Sequence, residues 1–361
     1  MIPQYLHTAI KADLTRLFIG RPSRSHSAEH RGTARYVKEL IGYTWSEYQF
    51  SEVGVGKRYL VTGGAGFIGS HLVDALLADG QAVRVLDDFS TGNPANLAHA
   101  DGKYELVRGS VAQPQAVEQA VSGCDVVFHL AAIASVAKSV ETPLISHEVG
   151  ATGTLHVLDA ARRLGVRRVV YAGSSSAYGD QPGTERLEDD PLIPLSPYAA
   201  AKLAGEHYCT ACTSVYGLET VRLRFFNVFG PRQDAKSPYS GVIALFIDAM
   251  AKGKTPTIFG DGLQARDFVY VANVVQALSL AAESKNAVGR VYNIGSGGST
   301  TLLELVKQLN ELLGKEIVPN HQPPRAGDVR LSQACIRRAQ AELGYNPTIS
   351  FRDGLAKTVK G

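Results

Sequence analysis

Three glycines at intervals of three, in the stretch LVTGGAGFIGSHLV (residues 60–73), constrain the fold of this chain more than any other feature. An apolar run, KRYLVTGG, leads into them, and a helical pattern, SHLVDALLADG, leads out. In a strand–turn–helix unit, Gly63 permits a tight turn, Gly66 lets a ligand approach the backbone, and Gly69 lets the helix pack on the strand. The N–H groups at the start of the helix favour an anion. The pattern therefore predicts a loop that binds the pyrophosphate of a dinucleotide.

Short apolar strands alternate with helical patterns after this loop. AVRVLDD, DVVFHLAA, RRVVYAGSSS and TVRLRFFNVFG are each predicted to form one strand, with helices such as GTLHVLDAARRLG between them. Such alternation predicts a parallel sheet that is covered on both faces. We therefore predict an α/β fold, with a Rossmann-type doubly wound parallel sheet over residues 57–230 and a smaller α/β C-terminal substrate lobe over 231–361. A segment near 268–295 is expected to return to the Rossmann domain, and residues 1–56 to form an N-terminal extension.

Charge and composition exclude several classes of function. The formal net charge is +3, of which residues 1–40 contribute +4, so the remainder is close to neutral and gives no basis for nucleic-acid binding. No apolar run approaches the ~20 residues of a membrane span. Four cysteines in 361 residues indicate a reducing compartment, and we expect the cytoplasm. Cys209 and Cys212 have no second pair nearby, so they are expected to be small residues on one helix face, and no metal site is predicted.

A tyrosine and a lysine, Tyr198 and Lys202, lie four residues apart in the helix-favouring stretch SPYAAAKLAG, and therefore on one helix face. Free tyrosine has a pKa of about 10, so it is a poor base at neutral pH, but a nearby cation stabilises its phenolate, and an oxidised nicotinamide would add a second positive charge that brings the pKa of Tyr198 toward the working pH. At ~4 Å and an effective dielectric of ~20, this interaction is worth ~4 kcal/mol. Ser174 ends a strand and is expected to face the same crevice. The alternatives are an ordinary helix with a packed Tyr and a snorkelling Lys, and a polar turn.

An acidic residue, Asp87, ends the second predicted strand. A carboxylate at that position accepts hydrogen bonds from ribose hydroxyls and repels a 2′-phosphate, so NAD is favoured over NADP. The alternative for Asp87 is a helix cap or turn residue.

These motifs together identify a family. The glycine loop, Ser174 and Tyr198-x-x-x-Lys202, with LDDFSTGN, SSSAYGD, LRFFNVFGPRQ, FGDGLQARDFVYV and PRAGDVRLS, resemble the extended short-chain dehydrogenase/reductase superfamily over residues 57–350. Within it the chain is similar to the NAD-dependent nucleotide-sugar 4-epimerases. The resemblance implies an isomerase in which Tyr198, assisted by Ser174, takes the C4 hydroxyl proton of a UDP-hexose while NAD accepts and returns the hydride. It also implies a homodimer, formed by a four-helix bundle of the helix after ETPL and the helix that carries Tyr198.

The resemblance also implies binding residues. The implied cofactor-binding residues are Gly63, Gly66, Phe67, Ile68, Gly69, Asp87, Asp88, Gly92, Ser110, Val111, Leu130, Ala131, Ala132, Tyr198, Lys202 and Phe225. The implied substrate-binding residues are Ser135, Ser174, Ser175, Ser176, Tyr198, Asn227, Val242, Phe259, Arg266, Arg325, Asp328 and Ser332. Of these, Asn227, Arg266, Arg325 and Asp328 would hold the diphosphate and ribose, and Val242 and Phe259 would lie near the uracil. Guanidinium and amide donors suit a pyrophosphate, although Arg266 has the alternative of pairing with Asp267.

Five positions depart from the family pattern or refine it. Ser110 and Gly150 stand where an Asp near the adenine and an Asn near the nicotinamide are usual, and Asn273 and Cys335 replace aspartates of structural role. Ser332 stands where members restricted to plain hexoses often carry a bulky aromatic. A small residue there leaves room for an N-acetyl group, so UDP-N-acetylglucosamine and UDP-N-acetylgalactosamine are the expected substrates, with UDP-glucose and UDP-galactose beside them. The alternative is drift at a wall position.

Other functions stay open. A dehydratase normally has acids where this chain has Ser175 and Ser176, which argues against β-elimination. A UDP-glucuronate epimerase or decarboxylase differs mainly in the cations of its pocket. A non-catalytic NAD-binding regulatory protein would keep the glycine loop but lose the residues of the Ser–Tyr–Lys set.

Overall fold

The computed structural model of the chain describes residues 56–234, 241–324 and 330–360, so all but the last residue of the predicted extension lies outside it. The strands are β1 (Arg58–Thr62), β2 (Ala82–Asp87), β3 (Glu105–Arg108), β4 (Val126–His129), β5 (Arg168–Ser174), β6 (Glu219–Phe225), β7 (Asn227–Phe229), β8 (Thr257–Phe259), β9 (Ala265–Arg266), β10 (Phe268–Tyr270), β11 (Val291–Ile294), β12 (Thr300–Thr301), β13 (Asn320–Gln322) and β14 (Leu331–Ser332). The helices are α1 (Phe67–Ala78), α2 (Pro114–Val121), α3 (Val136–Glu141), α4 (Pro143–His147), α5 (Gly153–Arg163), α6 (Pro197–Tyr216), α7 (Val242–Ala251), α8 (Val271–Glu283), α9 (Leu302–Leu313), α10 (Arg337–Leu343) and α11 (Phe351–Lys360), and a π-helical turn, Glu148–Thr152, joins α4 to α5.

Seven strands form one sheet in the order β3-β2-β1-β4-β5-β6-β11, and every neighbouring pair is parallel. The chain builds outward from β1 to β3 and then crosses to β4, so the direction of winding reverses between β1 and β4. Ligands of open α/β sheets bind at the carboxyl ends of the strands beside such a reversal. The predicted Rossmann-type doubly wound sheet is therefore confirmed.

Both faces of this sheet are buried because successive side chains of a strand point to opposite faces. Leu60 of β1 belongs to a core with side chains of α2, α5 and α6. Its neighbours Tyr59 and Val61 belong to a second core with side chains of α1 and α8. Helices thus cover the sheet on either side, as the unbroken apolar strands predict.

The smaller C-terminal lobe is built from short strands and a separate core. β7 pairs with β10, β8 pairs with β13, and β9 lies between β12 and β14. Helices α7, α9 and α11 contribute to its apolar core. Thr301 and Glu304 form a capping box that fixes the start of α9 and turns Leu305 and Leu309 inward.

One sequence-based assignment is wrong. TVRLRFFNVFG forms two strands in two different sheets, β6 and β7. The amide of Phe226 still donates to Ile294 of the main sheet, but the next amide, that of Asn227, donates to the carbonyl of Asp267. The chain therefore leaves the large sheet at this point and enters the smaller lobe. The apolar run gives no sign of this change because it continues across it.

Candidate active site

The glycine loop lies at the switch point, between β1 and α1. Gly63 has a φ of +70°, and a Cβ added there would lie 2.9 Å from the Cα of Ala131, so this turn needs a residue without a side chain. Gly66 is the N-cap of α1, and no side chain caps the N–H groups that follow. The first turn of α1 is therefore arranged to bind an anion, which fits the pyrophosphate of a dinucleotide.

Asp87 lies at the end of β2, beside this loop. Its carboxylate accepts hydrogen bonds from the amides of Ala65, at 2.9 Å, and Phe89, at 2.8 Å. A Cβ at Gly92 would lie 2.9 Å from the same carboxylate, so the loop closes tightly around it. Burial raises the pKa of Asp87, while the two amides lower it. The group is thus held as a fixed acceptor where the ribose of a dinucleotide is expected.

The other predicted cofactor residues lie along the same edge of the sheet. Asp88 and Gly92 follow β2, Ser110 and Val111 follow β3, Leu130, Ala131 and Ala132 follow β4, Phe67, Ile68 and Gly69 open α1, and Phe225 ends β6. Ser110 donates its amide to Gln113 Oε1 at 3.2 Å, and its hydroxyl accepts from the amide of Ala112. This edge, with its glycine cradle and its fixed carboxylate, fits NAD.

Tyr198 lies in the first turn of α6. Ser196 caps this helix, because its hydroxyl accepts from the amide of Ala199 at 3.2 Å, and Pro197 occupies the first helical position. Tyr198 is hydrogen bonded to Ser174, the last residue of β5, and Ser174 Oγ lies 2.9 Å from Ser176 Oγ. The capped helix start therefore delivers the phenol to the strand end that carries the predicted serine.

Lys202 lies one turn further along α6 and is buried. Its Nζ donates to the carbonyl oxygen of Ala172 in β5, at 2.9 Å. Burial lowers the pKa of Lys202 to about 8, and the Glu206 carboxylate opposes that shift. Ser174, Tyr198 and Lys202 are thus gathered where β5 meets α6.

The protonation of Tyr198 differs from the sequence-based expectation. Burial raises the pKa of Tyr198 above its usual value, and only the hydrogen bond with Ser174 lowers it. Within the protein alone, the expectation of a lowered pKa is therefore wrong, because desolvation outweighs the polar contacts. It stays a prediction for the complex with oxidised NAD.

The predicted substrate residues are brought together in part. Ser332 of β14 is the register partner of Arg266 in β9, and Arg266 Nη1 donates to the carbonyl of Ala265 at 2.9 Å. Asn227 Nδ2 donates to the carbonyl of Asp267 at 3.2 Å. The remaining positions are as follows: Phe259 ends β8, Val242 begins α7, Ser175 and Ser176 follow β5, and Ser135 caps α3 by accepting from the amide of Lys138. Arg325 and Asp328 lie outside the described residues.

Gly150 lies inside the π-helical turn, a feature that is frequent at functional sites. A Cβ at Gly150 would lie 2.9 Å from the Cβ of Ala201, so the turn packs closely on α6. Asn273, by contrast, has a structural role, because its amide group donates to the carbonyl of Ile349 and its oxygen accepts from the Ile349 amide. An aspartate could not make the first of these bonds.

Sequence reasoning missed His129, a fully buried residue at the end of β4. Its Nδ1 lies 2.8 Å from Thr62 Oγ1, and its Nε2 lies 2.9 Å from Thr154 Oγ1. Thr154 donates to the carbonyl of Gly150 at 2.6 Å, so the imidazole must donate to Thr154 through Nε2 and accept through Nδ1. Burial lowers the pKa of His129 to about 3, with the nearby Lys202 charge acting in the same direction. The sequence signal that could have identified it is the histidine within the otherwise apolar stretch VVFHLAA.

Two further findings on the described residues concern metals and membranes. Cys209 and Cys212 are buried against the core formed with α2 and α5. Across the described ranges, no group of three or more His, Cys, Asp or Glu side chains is placed to hold a metal ion. In the same part of the chain, no helix has the length and apolar character needed to cross a membrane.

A doubly wound sheet with a glycine loop at its switch point and a Ser–Tyr–Lys set on the neighbouring strand and helix defines a dinucleotide-dependent enzyme of the extended short-chain dehydrogenase/reductase class. The chain belongs to the NAD dependent epimerase/dehydratase family, whose model matches residues 59–295.

Known proteins resemble the chain over most of its length. A UDP-glucose 4-epimerase of Mycolicibacterium smegmatis is 41% identical over 312 residues, which cover 84% of this chain and 97% of the relative. The solved UDP-N-acetylglucosamine 4-epimerase from Methanobrevibacter ruminantium, in complex with UDP-N-acetylmuramic acid, is 37% identical with a TM-score of 0.81, over 84% of this chain and 97% of that one. A UDP-glucuronic acid 4-epimerase from Bacillus cereus, in complex with UDP-glucuronic acid and NAD, is 33% identical with a TM-score of 0.78, over 84% and 98%.

These matches bear on the sequence-based predictions. The prediction of an isomerase of the NAD-dependent UDP-sugar 4-epimerase type is confirmed, and so is the cofactor, NAD. The domain boundaries, the roles of individual residues, the sugar and the dimer stay predictions.

Proposed function

We propose that the protein inverts C4 of UDP-N-acetylglucosamine and UDP-N-acetylgalactosamine, and that it also accepts UDP-glucose and UDP-galactose. The observation that carries this proposal is that Ser174, Tyr198 and Lys202 come together where α6 packs on β5, at the edge of the sheet where β1 runs into the glycine loop. Strand ends at the switch point are where an α/β sheet places the reacting part of its ligands. The set also contains the one acid–base group that inversion through a ketone requires.

Tyr198 is the proposed general base. It takes the proton of the C4 hydroxyl as that carbon is oxidised and returns it when the carbon is reduced. Ser174 donates to the developing phenolate and thereby lowers the pKa of Tyr198. Lys202 lies one turn away on the same helix, with its Nζ on the Ala172 carbonyl. A shielded charge brought within ~4 Å of the phenolate in the ligand complex would be worth ~4 kcal/mol. NAD, when bound, supplies the hydride acceptor and donor for C4.

Inversion requires the sugar to turn while the rest of the substrate stays in place. Asn227 and Arg266, with Arg325 and Asp328 from the sequence, are the proposed anchors for the diphosphate and ribose. Asn227 and Arg266 belong to β7 and β9, outside the seven-stranded sheet, whereas Tyr198 lies on α6, which packs on that sheet. Anchoring at the diphosphate alone leaves the hexose free to present either face of C4 to the same base.

The choice of an N-acetylated sugar rests on Ser332. This half-buried serine lies beside Arg266 in the small sheet, and its side chain leaves more space than an aromatic ring would. We propose that this space receives the C2 substituent. The solved relative from Methanobrevibacter ruminantium, whose ligand is a UDP-linked N-acetylated sugar, supports the same choice.

The reaction is tested with purified protein, NAD and a panel of UDP-sugars, followed by proton NMR. We expect C4 inversion of the two N-acetylhexosamines and the two plain hexoses. Inversion of UDP-glucuronate alone would instead support an epimerase of uronates. Conversion of UDP-glucuronate to a UDP-pentose with loss of carbon dioxide would support a decarboxylase, and accumulation of a 4-keto product would support a dehydratase. Turnover of none of the sugars would support a regulatory NAD-binding protein.

The role of Tyr198 is tested by Tyr198→Phe. Because the phenylalanine has no proton to exchange, kcat should fall by at least ~10³-fold, while UDP binding measured by calorimetry is retained. Tyr208→Phe, on the exposed side of the same helix, is the control and should keep full turnover. Turnover of Tyr198→Phe near the wild-type rate would rule the tyrosine out as the base.

The sugar preference is tested by Ser332→Tyr. The larger side chain should reduce kcat/KM for the N-acetylated sugars by ~10²-fold or more, since an overfilled pocket excludes the bulkier ligand, and should spare UDP-glucose. Ser332→Ala keeps the space and should leave both activities near wild type. Equal losses of kcat/KM on both kinds of sugar would show that Ser332 does not select the C2 substituent.

A further inference from the structure

Asp267 lies between β9 and β10 and is completely buried. Its backbone links three of the proposed substrate residues. Its amide donates to the carbonyl of Ser332 at 2.7 Å, and its carbonyl accepts from the amide of Asn227 at 3.0 Å and from the Asn227 side chain. Arg266 is the preceding residue, so the positions of all three depend on how Asp267 is held.

The Asp267 carboxylate is held by four hydrogen bonds. Oδ1 accepts from the amide and the hydroxyl of Ser296, both at 2.7 Å. Oδ2 accepts from the amides of Gly297, at 3.0 Å, and Ala334, at 3.1 Å. A carboxylate has about four acceptor sites, so these donors fill it.

The surroundings are built to let the carboxylate in. A Cβ at Gly295 would lie 2.5 Å from Asp267 Oδ2, so only glycine leaves enough space at this point. The three donor residues come from two separate segments, the loop after β11 and the residues after β14. One buried side chain thus joins these segments to the link between β9 and β10.

We propose that Asp267 is a positioning residue for the UDP-sugar, and that it sets the relative placement of Asn227, Arg266 and Ser332 without contacting the ligand. This role rests on the proposed function. The Asp267 carboxylate binds the loop after β11 and the residues after β14. The Asp267 backbone, through its hydrogen bonds, fixes the positions of the three substrate residues relative to these segments. In the sequence ARDF, Arg266 is thus the proposed ligand-binding residue and Asp267 the residue that holds the backbone around it.

The test is Asp267→Asn in the full-length protein. Asparagine keeps the shape but turns one acceptor oxygen into a donor, which faces either the amides of Gly297 and Ala334 or the amide and hydroxyl of Ser296, so at least one amide loses its acceptor. We expect the dissociation constant for UDP, measured by calorimetry, and KM for the UDP-sugar to rise about tenfold or more, as expected for the loss of one or two charge-assisted hydrogen bonds. Bound NAD and kcat at saturating substrate should stay within about twofold, because Tyr198 and Lys202 lie on α6, which packs on the large sheet.

Two further variants make the result decisive. Asp248→Asn changes an exposed carboxylate of the same lobe and should leave the UDP affinity unchanged. Ser296→Ala removes only one of the four donors, so it should raise the UDP dissociation constant in the same direction but less, and it decides the question if Asp267→Asn does not fold.

Each outcome separates this role from the proposed function. If the wild-type protein binds UDP, and Asp267→Asn or, failing that, Ser296→Ala binds it equally well, Asp267 is not a positioning residue while the proposed function stands. A fall in kcat with unchanged KM would also overturn it. If the wild-type protein binds no UDP, the proposed substrate class is wrong and this role with it.

Discussion

Lys202 shows how a single buried side chain links chemistry to stability. Burial lowers the pKa of Lys202 from its usual 10.5 to about 8 in the folded protein. Between these two values the unfolded chain binds more protons than the folded one, so this residue makes the free energy of unfolding rise with pH across that window. Below about pH 8 the buried charge of Lys202 lowers the free energy of unfolding by its full amount. From the shift of the pKa, this amount is about 3 kcal/mol.

Lys202→Met should therefore change the pH dependence of stability as well as abolish turnover. The variant should lose the rise in unfolding free energy between about pH 8 and 10.5 that the wild type shows. At neutral pH, removal of the buried charge should raise the free energy of unfolding. This increase is smaller by about 1–3 kcal/mol, because the Ala172 carbonyl loses its buried donor. Denaturant unfolding at a series of pH values measures both effects. Lys252→Met, at an exposed pair with Asp248, is the control, and identical pH profiles for wild type and Lys202→Met would contradict the argument.

Individual residues also show where sequence reasoning stops. The helical spacing of Tyr198 and Lys202 was readable, because a helix fixes which residues share a face. The acceptor for Lys202, the carbonyl of Ala172, was not, since it depends on how α6 packs on β5. The same holds for the raised pKa of Tyr198, because desolvation is a property of the folded environment and leaves no trace in a motif.

At the scale of elements, the contact between α6 and β5 is set by a helical glycine. A Cβ at Gly205 would lie 2.6 Å from Cζ of Tyr171, and the Tyr171 hydroxyl donates to the carbonyl of Lys202 at 3.0 Å. Gly205 thus lets the catalytic helix lie against the strand that ends in Ser174. The short distance between helix and strand allows Lys202 to bond to the Ala172 carbonyl and Tyr198 to interact with Ser174.

Gly205→Ala should destabilise the protein, although alanine is the better helix former. Propensity alone would stabilise α6 by about 1 kcal/mol, whereas the clash with Tyr171 costs about 1–3 kcal/mol or more, since neither ring nor strand can move freely. We expect a lower melting temperature and a lower kcat, measured on the same preparation. Ala200→Gly, on the exposed face of α6, is the control and should lose only the propensity. A more stable Gly205→Ala variant would show that the helix can shift.

The large sheet was predictable from sequence because its strands are short, apolar and regularly interrupted. The smaller lobe was less so. TVRLRFFNVFG carries no glycine or proline where β6 ends and β7 begins, so the change of sheet at Phe226 follows from hydrogen bonds to distant segments. Strands of two residues, such as β9 and β14, have no periodicity to detect, yet they carry Arg266 and Ser332.

At the scale of the whole molecule, the predicted homodimer requires an apolar surface. Helices α3, α4 and α6 expose several apolar side chains, namely Val136, Val140, Leu144, Ile145, Val215 and Tyr216. Helices α4 and α6 also contact each other. Of these, α4 belongs to the helical segment at ETPL and α6 carries Tyr198, so they are the elements from which the resemblance builds a four-helix bundle. Burial of apolar surface is the main driving force of most protein–protein association.

Leu144→Arg should weaken that dimer. Leu144 is 82% exposed in the single chain, so a charged side chain there is harmless to the fold but would be desolvated without a partner inside a bundle. We expect the dimer dissociation constant, measured by sedimentation velocity over a range of concentrations, to rise about tenfold or more. Val318→Arg is the matched control, because Val318 is 78% exposed in the smaller lobe and should leave the dimer intact. A wild-type monomer, or equal dimerisation of both variants, would place the interface elsewhere or remove it.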